Sequence, residues 1–201
     1  MSSSITTKRL LAESLKKIMK TRPLSKVSVK DIVNDCNLNR QTFYYHFKDI
    51  YDLVEWIYKT EAVEGIENYK SYETWADGFY KIFLYIENNK EFCYNTLNSL
   101  SRTHLDMYLF SVINNLLMEV IEEISININV KECDKKFIAD FYTHAFAGLV
   151  IQWMKDGMKE EPEVLIEKLK YLIEGSFIRA LNKYETMTWY YIKSLFFIMS
   201  I

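Results

Sequence analysis

The chain has 201 residues, 49% of them hydrophobic and 26% charged, with a net charge of -2, a balance that suits a folded chain and excludes a disordered one. Five Gly and two Pro leave few places for tight turns, so an almost wholly helical protein of one domain or a small pair is expected. Cys36, Cys93 and Cys133 are odd in number and form no C-x-x-C pair, which argues against a zinc site and for a reducing cytoplasm.

Charge is split along the chain. Residues 1–60 hold 11 Lys/Arg and 6 Asp/Glu, a net of +5, whereas residues 61–201 hold 14 and 21, a net of -7. A basic head on an acidic body is the asymmetry expected when only the head meets nucleic acid. Residues 1–4 are expected to be disordered, and Thr6 or Thr7 to cap a first helix. Its stripe of Leu11, Leu15, Ile18 and Met19 faces a core, with the end near Thr21, before Pro23.

Ser28 to Phe47, SVKDIVNDCNLNRQTFYYHF, predicts two short helices joined by a tight turn. Ser28 and Asp31 have capping-box spacing, so a helix begins at Val29. Val29, Ile32 and Val33 share its inner face. Asn37 is the residue other than Gly that most readily takes the left-handed conformation of a helix end, Leu38 supplies an apolar plug, and Asn39 can cap the next helix. In that second helix, Arg40 to Phe47, Phe43 and Phe47 face inward. A rotation of about 100° per residue sets Gln41 and Tyr45 opposite them. Thr42 and Tyr44 flank this outward ridge, with Arg40 at its start and His46 toward its end. Every outward side chain can hydrogen-bond and none is acidic, the chemistry required by base edges and phosphates in a major groove. The bland alternative is an all-helical ligand-binding or protein-interaction module without DNA binding, whose helical hairpin meets only other proteins.

Ser28 to Leu53, with the Thr-aromatic-Tyr-x-His-Phe run at Thr42 to Phe47, resembles the helix-turn-helix of the tetracycline-repressor (TetR) family of one-component transcription regulators. The resemblance is strong over about the first sixty residues and rests on length and helix order beyond them. ITTKRLLAESLKKIM, RQTFYYHF and GMKEEPEVLIEKL are similar to the subgroup that includes regulators of dihydroxyacetone kinase operons. The resemblance implies that Lys30, Arg40, Gln41 and Tyr44 reach bases and that Thr42 and His46 touch phosphates. It also makes Thr6, Thr7 and Lys8 minor phosphate candidates. Asn37 stands where the family's turn carries Gly, and Ile50 where it carries a Lys after the recognition helix. Lys48 is then the phosphate candidate at that end. With Tyr45, these residues make up the DNA-binding set.

Asp49, with Asp52 three residues on, starts a fourth helix through Leu53, Val54, Ile57 and Val63 toward Tyr69. It joins head to body and would carry any effector-driven motion. From Ser71 the chain is unusually aromatic: a helix begins at Ser71 or Thr74, a short one runs from about Glu91 to Leu100, and a long one from about His104 to Ile126. SININVKECD is the best break before two last helices, roughly Lys135 to Met158 and Pro162 to Tyr184. Phe141, Ala145, Gly148, Leu149 and Gln152 form one face of that pair, and Leu165, Leu169, Leu172, Ile173 and Phe177 the other. Two copies about a twofold axis would give a four-helix homodimer interface suited to a palindromic operator. The alternative is that these stripes close a monomeric core. The apolar tail from Trp189 is too short to span a bilayer, and no membrane association is expected.

No clustered reactive groups or catalytic motif spacing occur, so the chain is not expected to be an enzyme and no cofactor or metal is implied. A small helical enzyme is the second rival. His104, Tyr108 and His144 are candidates for the polar lining of an effector pocket among the body's aromatics. The expected architecture is all-α, about nine helices: a DNA-binding head (residues 1–48), an effector-binding and dimerisation body (49–184) and a hydrophobic tail (185–201). Its expected partners are double-stranded operator DNA, a second copy of itself, and a small-molecule effector or partner protein.

Overall fold

The structure is a computed structural model, and it describes residues 3–61, 69, 71–99 and 102–185. Nine helices are delimited: α1 (Ser3–Met19), α2 (Val29–Asp35), α3 (Arg40–His46), α4 (Ile50–Glu61), α5 (Trp75–Asn88), α6 (Lys90–Leu97), α7 (Arg102–Ile124), α8 (Glu132–Lys155) and α9 (Pro162–Ile173). Residues 176–185 are helical as well. The protein is all-α, with no strand among the described residues.

Packing divides the chain into two compact units, residues 1–65 with 82–109 and residues 66–81 with 110–201, so that α5 and α7 are each shared between them. In the first unit α1 packs on α2, α3, α4 and also α6. Leu11 and Leu15 of α1, Ile32 of α2, Phe43 of α3 and Leu53 and Ile57 of α4 are each fully buried there. The buried Ser14 hydroxyl donates to the Ile32 carbonyl at 2.9 Å, which fixes α1 against α2. Two polar ties hold α1 to later elements: Lys16 Nζ lies 2.9 and 2.7 Å from the two Glu61 oxygens, and Asn95 Nδ2 donates to Met19 O at 2.8 Å.

The second unit is built on aromatic contacts. Phe79 lies 4.7 Å from Phe146, Trp75 meets Phe146 and Phe177, and Tyr142 stands edge-on to Phe177 at 4.7 Å. Ile121, Val130, Ile138, Ala139 and Leu181 form a second buried cluster. Gly78 is buried where α5 runs close to its neighbours: a Cβ there would stand 2.6 Å from Leu116 Cδ1, 2.9 Å from Tyr69 Cβ and 3.1 Å from Tyr69 O.

Several boundaries differ from expectation. The first helix starts at Ser3, because nothing before Thr6 forbids helical torsions and Ser or Thr is tolerated in a first turn. Residues 1–2 lie outside the described set, as do Val63 and the run toward Tyr69, and the tail from residue 186. The last helix is not continuous from Pro162 to Tyr184: α9 stops at Ile173, and Gly175 adopts φ +67°, the left-handed C-terminal geometry that glycine accepts without steric cost. Gly157 and Met158, with φ of +85° and +57°, turn the chain between α8 and α9.

Candidate nucleic-acid interface

Local chemistry fixes α2 and α3 before any distant contact does. The Ser28 side chain accepts from Asp31 N at 3.3 Å while Asp31 Oδ2 accepts from Ser28 N at 2.9 Å, a complete capping box. The Ser28 hydroxyl and then its backbone N–H hold the Asp31 carboxyl below its ordinary range. At the other end Asn37 has φ +52°. Leu38 N donates to Val33 O at 2.8 Å and Asn37 N to Asn34 O at 3.4 Å, the two bonds of a Schellman ending, here with Asn in the glycine place. Asn39 Oδ1 then accepts from Thr42 N at 2.8 Å and starts α3.

The seven residues of α3, which ends at His46 one residue short of the expected end with Phe47 as its C-cap, have two opposed faces. Phe43 and Phe47, four apart, are 0% and 3% exposed, whereas Tyr44 and Tyr45 are 53% and 83% exposed. Gln41 and Arg40 are also exposed, and Thr42 and His46 are half-buried. Lys30 on α2 and Lys48 just past α3 are open to solvent. Phe47 anchors the helix by its edge contact with Trp56 of α4 at 5.9 Å. Lys8 of α1 stands over both rings, 5.3 and 5.9 Å from their centroids, so this lysine is positioned by aromatic faces as well as by charge.

Three hydrogen bonds refine the expected roles. The Thr42 hydroxyl donates to Asn39 Oδ1 at 3.0 Å, so it donates to a phosphate only by giving up that bond. The backbone N–H of Lys48 donates to Asp52 Oδ2, and Asp52 N donates to Asp49 Oδ1, both at 2.9 Å. This reciprocal cap starts α4 directly after α3 and holds the Lys48 backbone; only its Asp49–Asp52 half is visible as a sequence pattern.

The effector and dimer candidates are dispersed. His104 and Tyr108 sit one helical turn apart on α7 in the first unit. His144 lies exposed on α8 in the second unit, with Nδ1 2.7 Å from Asp140 O and its ring against Phe110. Within its own unit α8 turns His144 outward, on the exposed side that also carries Phe141. On α8, Phe141, Ala145, Gly148, Leu149 and Gln152 are all exposed, Phe141 by 61%. Of the second face only Leu172 is exposed, at 70%, and Leu165 is half-buried. Leu169, Ile173 and Phe177 are 5%, 7% and 0% exposed; they belong to the interior of their own unit, where Phe177 packs on Trp75 and Tyr142, and offer no surface to a second copy. Among the described residues there is no cluster of three or more His, Cys, Asp or Glu able to hold a metal, and no helix long and apolar enough to cross a membrane.

Residues 12–57 match the family described as bacterial regulatory proteins, tetR family, and residues 73–175 match the family described as transcriptional regulator C-terminal region. The chain belongs to the TetR family of transcriptional regulators. It is 26% identical over 151 residues to the HTH-type dhaKLM operon transcriptional activator DhaS of Lactococcus lactis, covering 74% of this chain and 80% of that protein. Among solved structures, the dihydroxyacetone kinase operon activator DhaS superposes with a TM-score of 0.70 at 21% identity, over 90% of this chain and 98% of its own. Native NalD of Pseudomonas aeruginosa, the secondary repressor of the MexAB-OprM multidrug efflux pump, superposes with a TM-score of 0.58 at 14% identity, over 88% and 97% of the two chains. These superpositions establish the fold, and the family matches identify a transcription regulator, a class distinct from enzymes.

Proposed function

We propose that this regulator works in the cytoplasm as a homodimer that binds a palindromic operator, inserting α3 of each copy into successive major grooves about 34 Å apart. The observation that carries this is the division of α3: Phe43 and Phe47 are buried while Gln41, Tyr44 and Tyr45 stand in solvent. Arg40, Gln41 and Tyr44, with Lys30 from α2, supply the hydrogen-bonding groups for base edges. Tyr45, His46 and Lys48 supply phosphate contacts, and Thr42 joins them by turning its hydroxyl from Asn39 Oδ1 to a phosphate oxygen. The exposed α8 face of Phe141, Ala145, Gly148, Leu149 and Gln152 is the dimerisation surface, a face with little to attract water and small residues that admit close helix approach.

The relative from Lactococcus lactis is named for the dhaKLM operon that it activates. By extension, this chain acts on an adjacent operon for handling a short hydroxyketone, with an effector in the body favouring one separation of the two heads. Gel-shift titration against the DNA upstream of its own gene, at several salt concentrations, tests the reading. A strong, salt-dependent preference over random duplex is expected; equal affinity for both would overturn it.

A further inference from the structure

Two large apolar side chains that α8 leaves in water stand on consecutive turns near its start: Phe137 and Phe141 are 60% and 61% exposed. Their surroundings differ. Phe141 opens the stretch that continues through Ala145 and Gly148, whose small side chains admit another helix, and it belongs to the face proposed for the second copy. Phe137 precedes that stretch. On its own exposed side it has Cys133 one turn earlier, and its ring lies 6.3 Å from that of Tyr184. Ile126, on the connection from α7 to α8, is 77% exposed. Large apolar groups left open at one end of a helix mark a surface that another apolar element covers.

The chain itself brings such an element to this place. Asn129 N donates to Glu185 Oε1 at 3.0 Å, so the end of the helical stretch 176–185 is pinned to the connection that carries Ile126. The next residues, 186–201, lie outside the described set. Apart from Thr186, Thr188, Ser194, Ser200 and the single charge Lys193, every one of them is hydrophobic, and such a segment loses most by staying in water. Four residues of extended chain span at most about 14 Å, so Trp189 comes within reach of Phe137 with Glu185 held where it is. We propose that residues 186–201 fold back onto the start of α8 in their own chain, covering Phe137 and Ile126 with Trp189 and the apolar residues that follow it.

Tethering and shape favour this occupant over a second copy of the chain. The segment leaves the described structure one residue after Tyr184, whose ring already meets Phe137, so its local concentration at the site far exceeds that of any free molecule. A helix from another chain approaches closely where Ala145 and Gly148 lie and is held off by a phenyl ring, whereas an irregular segment can wrap one. The cover ends where the face proposed for the second copy begins, at Phe141. Closing the start of α8 leaves its middle open, so two copies pair while a third finds no apolar end to join. That consequence rests on the dimer reading; the docking itself does not.

The test uses the full chain. Tyr191→Cys places a thiol in the segment, and the native Cys133, exposed one turn before Phe137, is the thiol it should meet. After oxidation with diamide, denaturing electrophoresis and peptide mass spectrometry read the bond between them. An intrachain bond is expected, forming about tenfold faster than in the same chain that also carries Phe137→Ser, a change at an exposed position that leaves the interior packed. Equal rates with and without Phe137 would reduce the bond to chance encounters of a free tether and overturn the docking. An interchain bond would put the segment on a second copy, and no bond would put it elsewhere; either result also overturns it. Binding of the dye anilinonaphthalene sulfonate reads the same question by sign. With Trp189→Ser, Ile192→Ser and Phe196→Ser combined, dye binding should rise about twofold, as Phe137 and Ile126 lose their cover. A fall or no change would mean that the segment's own rings were the exposed surface, and the proposal would fail.

Discussion

Two helices, α3 and α8, each hold a pair of aromatic residues in water, and they differ in kind. The short α3 exposes Tyr44 and Tyr45 beside Gln41 and Arg40, while the long α8 exposes Phe137 and Phe141 beside Ala145, Gly148 and Leu149. An exposed phenol ring keeps a polar handle for base edges and phosphates; an exposed phenyl ring gains only when another apolar surface covers it. The presence of hydroxyls, more than the amount of aromatic surface, therefore separates the face proposed for nucleic acid from the one proposed for a second copy of the chain.

That contrast can be broken first on α8. Phe141→Asp places a carboxylate in the proposed twofold interface, where it would meet its own copy; it should cost roughly 3 to 5 kcal/mol of dimer stability, seen as a monomer by analytical ultracentrifugation. A dimer of unchanged affinity would move the interface elsewhere. On α3 the effect should be smaller and of another type. Gln41→Ala or Tyr44→Ala should each remove about 1 to 3 kcal/mol of operator binding while leaving random-duplex binding nearly intact, and unchanged discrimination in both would mean that another face reads the bases.

Ser28→Ala sharpens the comparison by removing the cap of α2 without touching either surface. It should cost about 1 kcal/mol of stability, measured by chemical denaturation. The same cap has a pH signature. Asp31 is held below its ordinary value by Ser28, so its contribution is present above an unfolded value of about 3.9 and is lost as pH falls through the lower folded value. In Ser28→Ala that acid-side loss should flatten. Lys48→Ala should be mildest: binding to every duplex weakens alike and the slope of log affinity against log salt falls by about 1. A change in sequence preference would show that Lys48 reads a base.

The helix-turn-helix could be read in advance because its determinants are local. Ser28, Asp31, Asn37 and Asn39 each act within a few residues of themselves, and the spacing of Phe43 and Phe47 orients everything between them. The α9 region resisted the same logic. An apolar stripe says which side of a helix avoids water but not whether its own unit or another chain provides the cover, so Leu169 and Phe177 looked like interface and are interior. The interruption at Gly175 depends on a positive φ that one glycine in a periodic stretch does not announce. For His144 a signal was present: it lies three residues after Phe141, on the side of α8 that faces away from the core.

The crowding around Gly78 acts on the connection that precedes α5. Leu116 could yield by rotating its side chain, but Tyr69 meets the glycine with its Cβ and its main-chain oxygen, and these move only if the chain itself is re-routed. Surface connections ordinarily tolerate added or lost residues. Here the count from Tyr69 to Gly78 is metrically fixed, and lengthening or shortening that segment by a single residue would pull the polypeptide off the one spot on the helix bare enough to receive it.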